Sequence, residues 1–203
     1  KITAKKNAEK CNVPIIKGNK KKLSSLKIAL SEASEIGYPL MLKAASGGGG
    51  RGMRIIRNVN DLKQNFDSAK NESLNAFGDD TMFLEKYVED PKHIEVQIVA
   101  DNHGNIRHLH ERDCSVQRRH QKVVEIAPSF NISEEVKQNL YKYALAIAKQ
   151  VNYNNIGTVE FLVDKADNVY FIEVNPRIQV EHTVTEMVTG IDLVKTQIFV
   201  AGG

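Results

Sequence analysis

Apolar positions along the chain switch between helical and strand spacing. A short helix is predicted over 2–11 and an extended piece over 13–16. Leu26, Ile28, Leu30 and Ala33 supply the apolar stripe of a helix over 23–36, which Gly37 stops and Tyr38-Pro39 keeps from continuing. The runs 38–44 and 52–57 read as strands on either side of a glycine-rich tip, and 81–88 as a third. Between them, Leu62, Phe66 and Ala69 form the apolar face of a helix over 60–77, with Asn60 suited to its N-cap and Gly78 to the position after its last turn. The stretch His93-Ile-Glu-Val-Gln-Ile-Val-Ala100 alternates polar and apolar residues as a half-buried strand does. Turn residues at 101–105 return the chain as a strand over 106–110, and a basic loop is expected over 112–122. Ser133 opens a long amphipathic helix to 151, with Glu134 and Glu135 at its positive end. Two strands and one final helix complete the chain.

Mixed elements with mainly hairpin-joined strands place the chain in the α+β class. A smaller subdomain over 14–83 carries the glycine hairpin, and a larger one covers 84–203, the two meeting near 83–88.

Composition narrows the function only a little. The chain has 203 residues, 41% hydrophobic and 26% charged, which is ordinary for a soluble domain. No apolar run approaches a membrane span, so no membrane partner is expected. The net charge of +3 is too mild to point to nucleic acid. Cys11 and Cys114 lie far apart with no C-x-x-C pattern, which fits packed thiols in a reducing compartment, and a cytoplasmic location is expected. The first residue is Lys1, with no secretory leader, so the chain is expected to be a piece of a longer one.

The candidate chemistry begins at Ser46-Gly-Gly-Gly-Gly-Arg-Gly-Met53. Gly47, Gly49 and Gly52 satisfy G-x-G-x-x-G, but the dinucleotide fingerprint needs a helix next, and a strand follows here. A phosphate-loop NTPase needs Lys and Ser or Thr after the last glycine, where Met53 and Arg54 stand. A glycine hairpin can fold over a polyphosphate with its amides aimed at oxygens. A plain connecting tip explains the same glycines.

The segment 159–175 is more informative. Two apolar strands flank Asp164-Lys-Ala-Asp-Asn168, and a turn centred between Ala166 and Asp167 sets Glu160 opposite Glu173. Asn175 shares their face. Like charges ~5 Å apart repel, and a hard divalent cation such as Mg²⁺ (or Mn²⁺) offsets that naturally. A solvated pair on an exposed face is the alternative. Lys43, at the end of the strand entering the glycine loop, can reach phosphate, although alone it reads as a surface lysine. Together these features suggest Mg-ATP.

At this point two longer motifs carry a resemblance. Glu111-Arg-Asp-Cys-Ser-Val-Gln-Arg-Arg-His-Gln-Lys-Val-Val-Glu125 and Phe171-Ile-Glu-Val-Asn-Pro-Arg-Ile-Gln-Val-Glu-His182 are similar to biotin carboxylase, an ATP-grasp enzyme. The likeness runs over essentially the whole chain and includes 46–53. Asn175-Pro-Arg and His182-Thr look more like the pyruvate carboxylase branch. The acyl-CoA carboxylases, the alternative, more often have Thr after that Asn and Pro after that His.

The resemblance implies a two-step reaction. Bicarbonate attacks the γ-phosphate of Mg-ATP to give carboxyphosphate, and the CO2 it yields carboxylates biotin on a biotinylated carrier domain. It further implies that Lys43, His120 and the amides around Gly49 and Gly50 hold phosphates, and that Glu160, Glu173 and Asn175 hold the metal. Glu85, Lys86, Tyr87 and Val88 form a hinge whose backbone reads adenine. His93, Gln117 and Leu162 line the nucleotide pocket, and Lys1 matches a lysine that approaches the nucleotide. Arg177, Lys122, Gln179 and the Val180 backbone hold bicarbonate, and Glu181 is the general base. Alternation puts Arg177, Gln179 and Glu181 on one side if that stretch is extended, although a salt bridge explains Arg177 and Glu181 equally. His108 and His110 are explained by an exposed strand face. The 14–83 subdomain is expected to act as a lid. The family's flanking subdomains, the carrier and the carboxyltransferase lie outside these 203 residues. The parent is expected to be a homo-oligomer.

Two rivals remain from the residues themselves. Another ATP-grasp ligase shares the hairpin and the carboxylate pair but lacks the 117–122 and 177–181 runs. A nucleotide-binding module without catalysis, or a basic interaction domain, needs neither run.

Overall fold

The computed structural model describes residues 2–46, 53–119 and 121–203, with Ile2 described by its backbone only. In chain order the elements are α1 (Ile2–Lys10), α2 (Leu26–Ile36), β1 (Leu40–Ala44), β2 (Met53–Ile56), α3 (Val59–Phe77), β3 (Met82–Lys86), β4 (Lys92–Ala100), β5 (Ile106–Arg118), β6 (Gln121–Ile126), α4 (Glu134–Gln150), β7 (Asn155–Val163), β8 (Val169–Asn175), α5 (His182–Thr189) and α6 (Leu193–Gly202). The α+β class expected from the sequence is the one observed. The chain forms two compact units, residues 16–89 with 119–121, and residues 1–15, 90–118 and 122–203.

The unit of residues 16–89 is a three-stranded sheet in the order β2-β1-β3 with α2 and α3 packed on it. Leu40, Leu42, Ile56 and Leu84 from the strands and Ala29, Ala33, Leu62, Phe66 and Ala69 from the helices form its core. Both helices start differently from expectation. Ser25 caps α2, its hydroxyl accepting from the Ile28 amide at 3.4 Å, so Leu23 is buried ahead of the helix and not in it. Asn58, and not Asn60, caps α3, accepting from the Asn60 and Asp61 amides at 2.9 and 3.0 Å. Either residue has a capping side chain, and the two-residue offset is set by which one takes extended backbone. Gly78 ends α3 in the left-handed region as expected, with φ 69°.

The larger unit is a five-stranded antiparallel sheet in the order β6-β5-β4-β7-β8. Ile94, Val96 and Ile98 of β4 and Val159 and Phe161 of β7 face α4, where Leu140, Ala144 and Ile147 meet them. Burying these apolar side chains against one helix is the main attraction holding this layer. Ser133 caps α4, its hydroxyl accepting from the Val136 amide at 3.2 Å. Two expectations are corrected here. The region 112–122 is not a basic loop. Residues 112–118 are the end of β5 and Gln121 starts β6, with Arg112 fully buried. The final helix is two helices, separated at Gly190 with φ 70°.

β4 also departs from its half-buried reading. Its polar face is not solvated: Glu95 and Gln97 are 0% and 1% exposed. That buried polar face, with α5 against β5, is where the chemistry gathers.

Candidate active site

Cross-strand pairing assembles the polar face. His93 lies opposite Leu162, Glu95 opposite Glu160, and Gln97 opposite Thr158. On the other side of β4, Glu95 pairs with Arg112 of β5. On the far side of β7, Glu160 pairs with Glu173 and Thr158 with Asn175 of β8.

The Lys122 ammonium is the centre of this face. It lies 2.5 Å from Glu95, 3.0 Å from Glu160 and 2.6 Å from Glu181. Burial alone would lower the Lys122 pKa. The charges of Glu95 and Glu160 and the hydrogen bond to Glu181 outweigh it, so the ammonium is held charged well above its ordinary range.

Glu160 accepts from Lys122, Asn175 and Gln179 on one oxygen, at 3.0, 2.8 and 3.0 Å. His93 Nε2 approaches the other at 2.8 Å. The Gln117 amide nitrogen lies 2.8 Å from His93 Nδ1, so Nδ1 accepts and Nε2 carries the proton toward Glu160. Burial pushes the Glu160 carboxyl up, but His93 and Lys122 pull it further down, well below the usual carboxylate range. Glu181 is lowered in the same way, with burial opposed by Lys122 and by its own backbone amide. It is therefore an ionised acceptor, and a weak base while Lys122 stays on it.

The donor set of Glu160, Glu173 and the Asn175 carbonyl oxygen consists of hard oxygens, which suits Mg²⁺ or Mn²⁺. Asn175 donates its amide nitrogen to Glu160, which leaves its oxygen for a cation. The tightest groups of ligand-type atoms among the described residues are His93 with Glu95 and Glu160, and Glu95 with Cys114 and Glu181, each within 4.8 Å. Lys122 already bridges Glu95, Glu160 and Glu181. Burial and the neighbouring Glu95 push the Cys114 thiol up, so it stays protonated.

The structure thus brings together Lys122, Glu160, Glu173, Asn175, Gln179, Glu181, His93, Gln117 and Leu162. It does not bring Arg177 with them. The stretch after β8 is a turn and not an extended strand, so alternation does not apply. Arg177 is exposed and donates to the Ile178 carbonyl at 3.0 Å, and it lines a cavity of about 410 Å³ with Asn154, Asn155 and Gln197. Val180, 91% exposed, is in the same turn. Lys1, Gly49, Gly50 and His120 lie outside the described residues.

In the other unit, Lys43 Nζ is 2.6 Å from Glu85. Lys86 donates from its ammonium to the Gly37 and Tyr38 carbonyls at 3.1 and 2.6 Å, closing the end of α2. The Lys86 and Tyr87 amides are engaged by the Lys17 and Pro39 carbonyls, so neither is available to an adenine edge. Val88 follows β3 outside regular structure.

Sequence reasoning missed Glu95, Gln97, Arg112, Thr158 and Thr185. The signal was the alternation of β4 itself, whose polar side was taken as solvated. His108, expected on an exposed face, stacks on Tyr141 with ring centroids 4.0 Å apart.

The family model for the carbamoyl-phosphate synthase L chain ATP-binding domain matches residues 1–203. The chain belongs to that family. As a member of the carbamoyl-phosphate synthase L chain ATP-binding family, it has close relatives in larger enzymes. Pyruvate carboxylase of Staphylococcus aureus is 54% identical over all 203 residues, which make up 18% of that protein. The solved structure of a biotin carboxylase complex with β,γ-ATP from Campylobacter jejuni superposes with a TM-score of 0.95 at 50% identity, over 98% of this chain and 45% of that one. The biotin carboxylase domain of Hydrogenobacter thermophilus 2-oxoglutarate carboxylase, solved with MgADP, ADP and bicarbonate, gives 0.94 at 50% identity, over 98% and 44%. The chain therefore spans under a fifth of the curated relative named here and under half of these two solved chains. Its fold is the ATP-grasp α+β fold that the sequence motifs implied.

Proposed function

We propose that this chain is the ATP-grasp part of the biotin carboxylase domain of a pyruvate carboxylase, a ligase that carboxylates biotin at the expense of ATP and bicarbonate. The observation that carries this reading is the Lys122 ammonium clasped by Glu95, Glu160 and Glu181 beside the Glu160–Glu173 pair. The 54% identity to a pyruvate carboxylase supports the branch.

Glu160, Glu173 and Asn175 would hold Mg²⁺ or Mn²⁺, which when bound neutralises phosphate charge during transfer. Lys43 and Glu85, with Lys1, His120 and the glycine-loop amides, would serve the nucleotide, and the Val88 backbone its base, since the Lys86 and Tyr87 amides are engaged by Lys17 and Pro39. Lys122 is the cation nearest the carboxylates, and bicarbonate would compete with them for it. An anion that draws Lys122 off Glu181 removes the charge that depresses the Glu181 carboxyl, so Glu181 becomes a better base at the moment bicarbonate is bound. Arg177, Gln179 and Val180 would complete the bicarbonate site, which for Arg177 means leaving the Ile178 carbonyl. Carboxyphosphate then supplies CO2 to biotin on a carrier domain. The lid role of 14–83 belongs to the same proposal, as do a downstream carboxyltransferase and a homo-oligomeric parent. Two free thiols fit a reducing compartment such as the cytoplasm.

The test is bicarbonate-dependent cleavage of Mg-ATP by the full-length protein, with label from bicarbonate followed into biotin and then pyruvate. ATP cleavage that ignores bicarbonate rejects the reading. Transfer of label to biotin but to an acyl-CoA in place of pyruvate rejects the branch alone.

A further inference from the structure

We infer that Arg112 is a positioning residue for this site, holding Glu95, Gln179 and the helix after Glu181 so that Lys122 and Glu160 keep their places. The inference rests on the activity proposed above. The guanidinium is fully buried and donates to five side chains. Its Nε gives to Glu95 at 2.6 Å, and Nη1 gives to Gln97 at 2.8 Å and Thr185 at 2.7 Å. Nη2 gives to Thr158 at 3.3 Å and Gln179 at 3.4 Å.

Each of three contacts has a consequence one step on. Arg112 holds one oxygen of Glu95, and the other accepts from Lys122 at 2.5 Å, so the carboxylate is clamped between two cations. Arg112 takes the oxygen of the Gln179 amide, which turns the amide nitrogen toward Glu160 at 3.0 Å. Thr185 lies one turn into α5, and Glu181 stands at the N-cap of that helix, so the Thr185 contact fixes the helix that begins at Glu181. A buried guanidinium also balances charge: Glu95, Glu160 and Glu181 face Lys122 and Arg112. A lysine at 112 would keep the charge but present its donors from one atom, and could not span all five acceptors.

The experiment uses the full-length protein with Arg112→Lys, Arg112→Met and Thr185→Val beside wild type. It reads kcat and KM for bicarbonate-dependent ATP cleavage, together with melting temperature. Loss of outer partners of a metal site costs roughly 10–100-fold in activity. The expected result is a fall in kcat of that size for Arg112→Lys, larger than any accompanying rise in the KM for Mg-ATP, and a smaller fall for Thr185→Val. Wild-type kcat in Arg112→Lys means the charge alone suffices and overturns the proposal. A lower melting temperature with unchanged kcat per folded molecule assigns Arg112 to stability alone and also overturns it. If neither Arg112 variant folds, Thr185→Val decides: reduced kcat per folded molecule supports the proposal and unchanged kcat overturns it. A wild-type protein without bicarbonate-dependent cleavage rejects the proposed activity, whereas an active wild type beside an equally active Arg112→Lys rejects the role of Arg112 alone.

Discussion

Glu160 and Glu173 stand opposite each other across β7 and β8 because of one extra residue. From Val163↔Val169 to Phe161↔Phe171 the hairpin is regular and its turn centres on Ala166. Continued unchanged, it would set Ile172 opposite Glu160 and send Glu173 to the face of Val159. The register shifts between Glu160 and Phe161, so Phe171 stays in the core while Glu173 joins the site face. The sequence expectation of this pairing was right, but it placed the turn half a residue away and saw no bulge.

Changing both carboxylates tests their use. Glu160→Gln with Glu173→Gln should abolish the Mg²⁺ dependence of nucleotide binding, since neutral amides replace the charges that a hard cation requires. Titration calorimetry with ATP, with and without Mg²⁺, checks it. Mg²⁺ dependence equal to wild type would remove the pair from the metal site.

The cap of α3 gives a sharper structural test. Asn58→Ala should cost about 1 kcal/mol, because it leaves the Asn60 and Asp61 amides without their acceptor. Asn60→Ala should cost much less. Urea unfolding of both variants compares them directly, and equal losses would contradict the assignment.

The pattern of legibility follows from periodicity. Helices, strands and the core face of β4 could be read because burial imposes spacing on apolar residues. The pairing of Glu160 with Glu173 could be read from the hairpin between their strands, whereas Lys122 entered only because a family motif carried it. Glu95 and Arg112 could not, because an alternating strand looks the same whether its polar side meets water or a buried charge network. The turn after β8 was missed for a related reason: Arg177, Gln179 and Glu181 alternate in sequence, yet backbone that is not extended does not convert alternation into a shared face.

Tyr153 should make the fold sensitive to alkali. Burial pushes its hydroxyl from 10.0 up to about 12. A folded value above the unfolded one means that the stabilisation is whole below pH 10 and is lost as the pH climbs toward 12. The hydroxyl donates to the Ile156 carbonyl at 2.9 Å, and the ring lies over Gly157, where an added Cβ would strike the hydroxyl. Tyr153→Phe should flatten the fall in melting temperature over that window. Gly157→Ala should destabilise by roughly 1–3 kcal/mol through overpacking. Parallel alkaline curves for wild type and Tyr153→Phe would count against the assignment.

Lys122→Met should be costly at neutral pH and less so in acid. Removing one partner from a buried ion pair typically costs about 3–5 kcal/mol, and here three carboxylates lose their common cation. In the wild type, the depressed Glu160 and Glu181 carboxyls contribute stability that is complete above the ordinary value of 4.5 and is lost as the pH falls below it. Without Lys122 that contribution shrinks to what His93 supplies at Glu160 and what the backbone amide and Arg112 supply at Glu181, and protonating a carboxylate then also relieves repulsion. The gap between wild type and variant should therefore narrow as the pH is lowered from 7 toward 4. Adding Glu181→Gln to Lys122→Met should recover part of the loss, because it removes one of the unbalanced charges, so the two changes are not additive. Urea midpoints of the wild type, both single variants and the double variant across that pH range test all three statements. A Lys122→Met midpoint equal to wild type at pH 7 would mean that the ammonium is not what holds these carboxylates together.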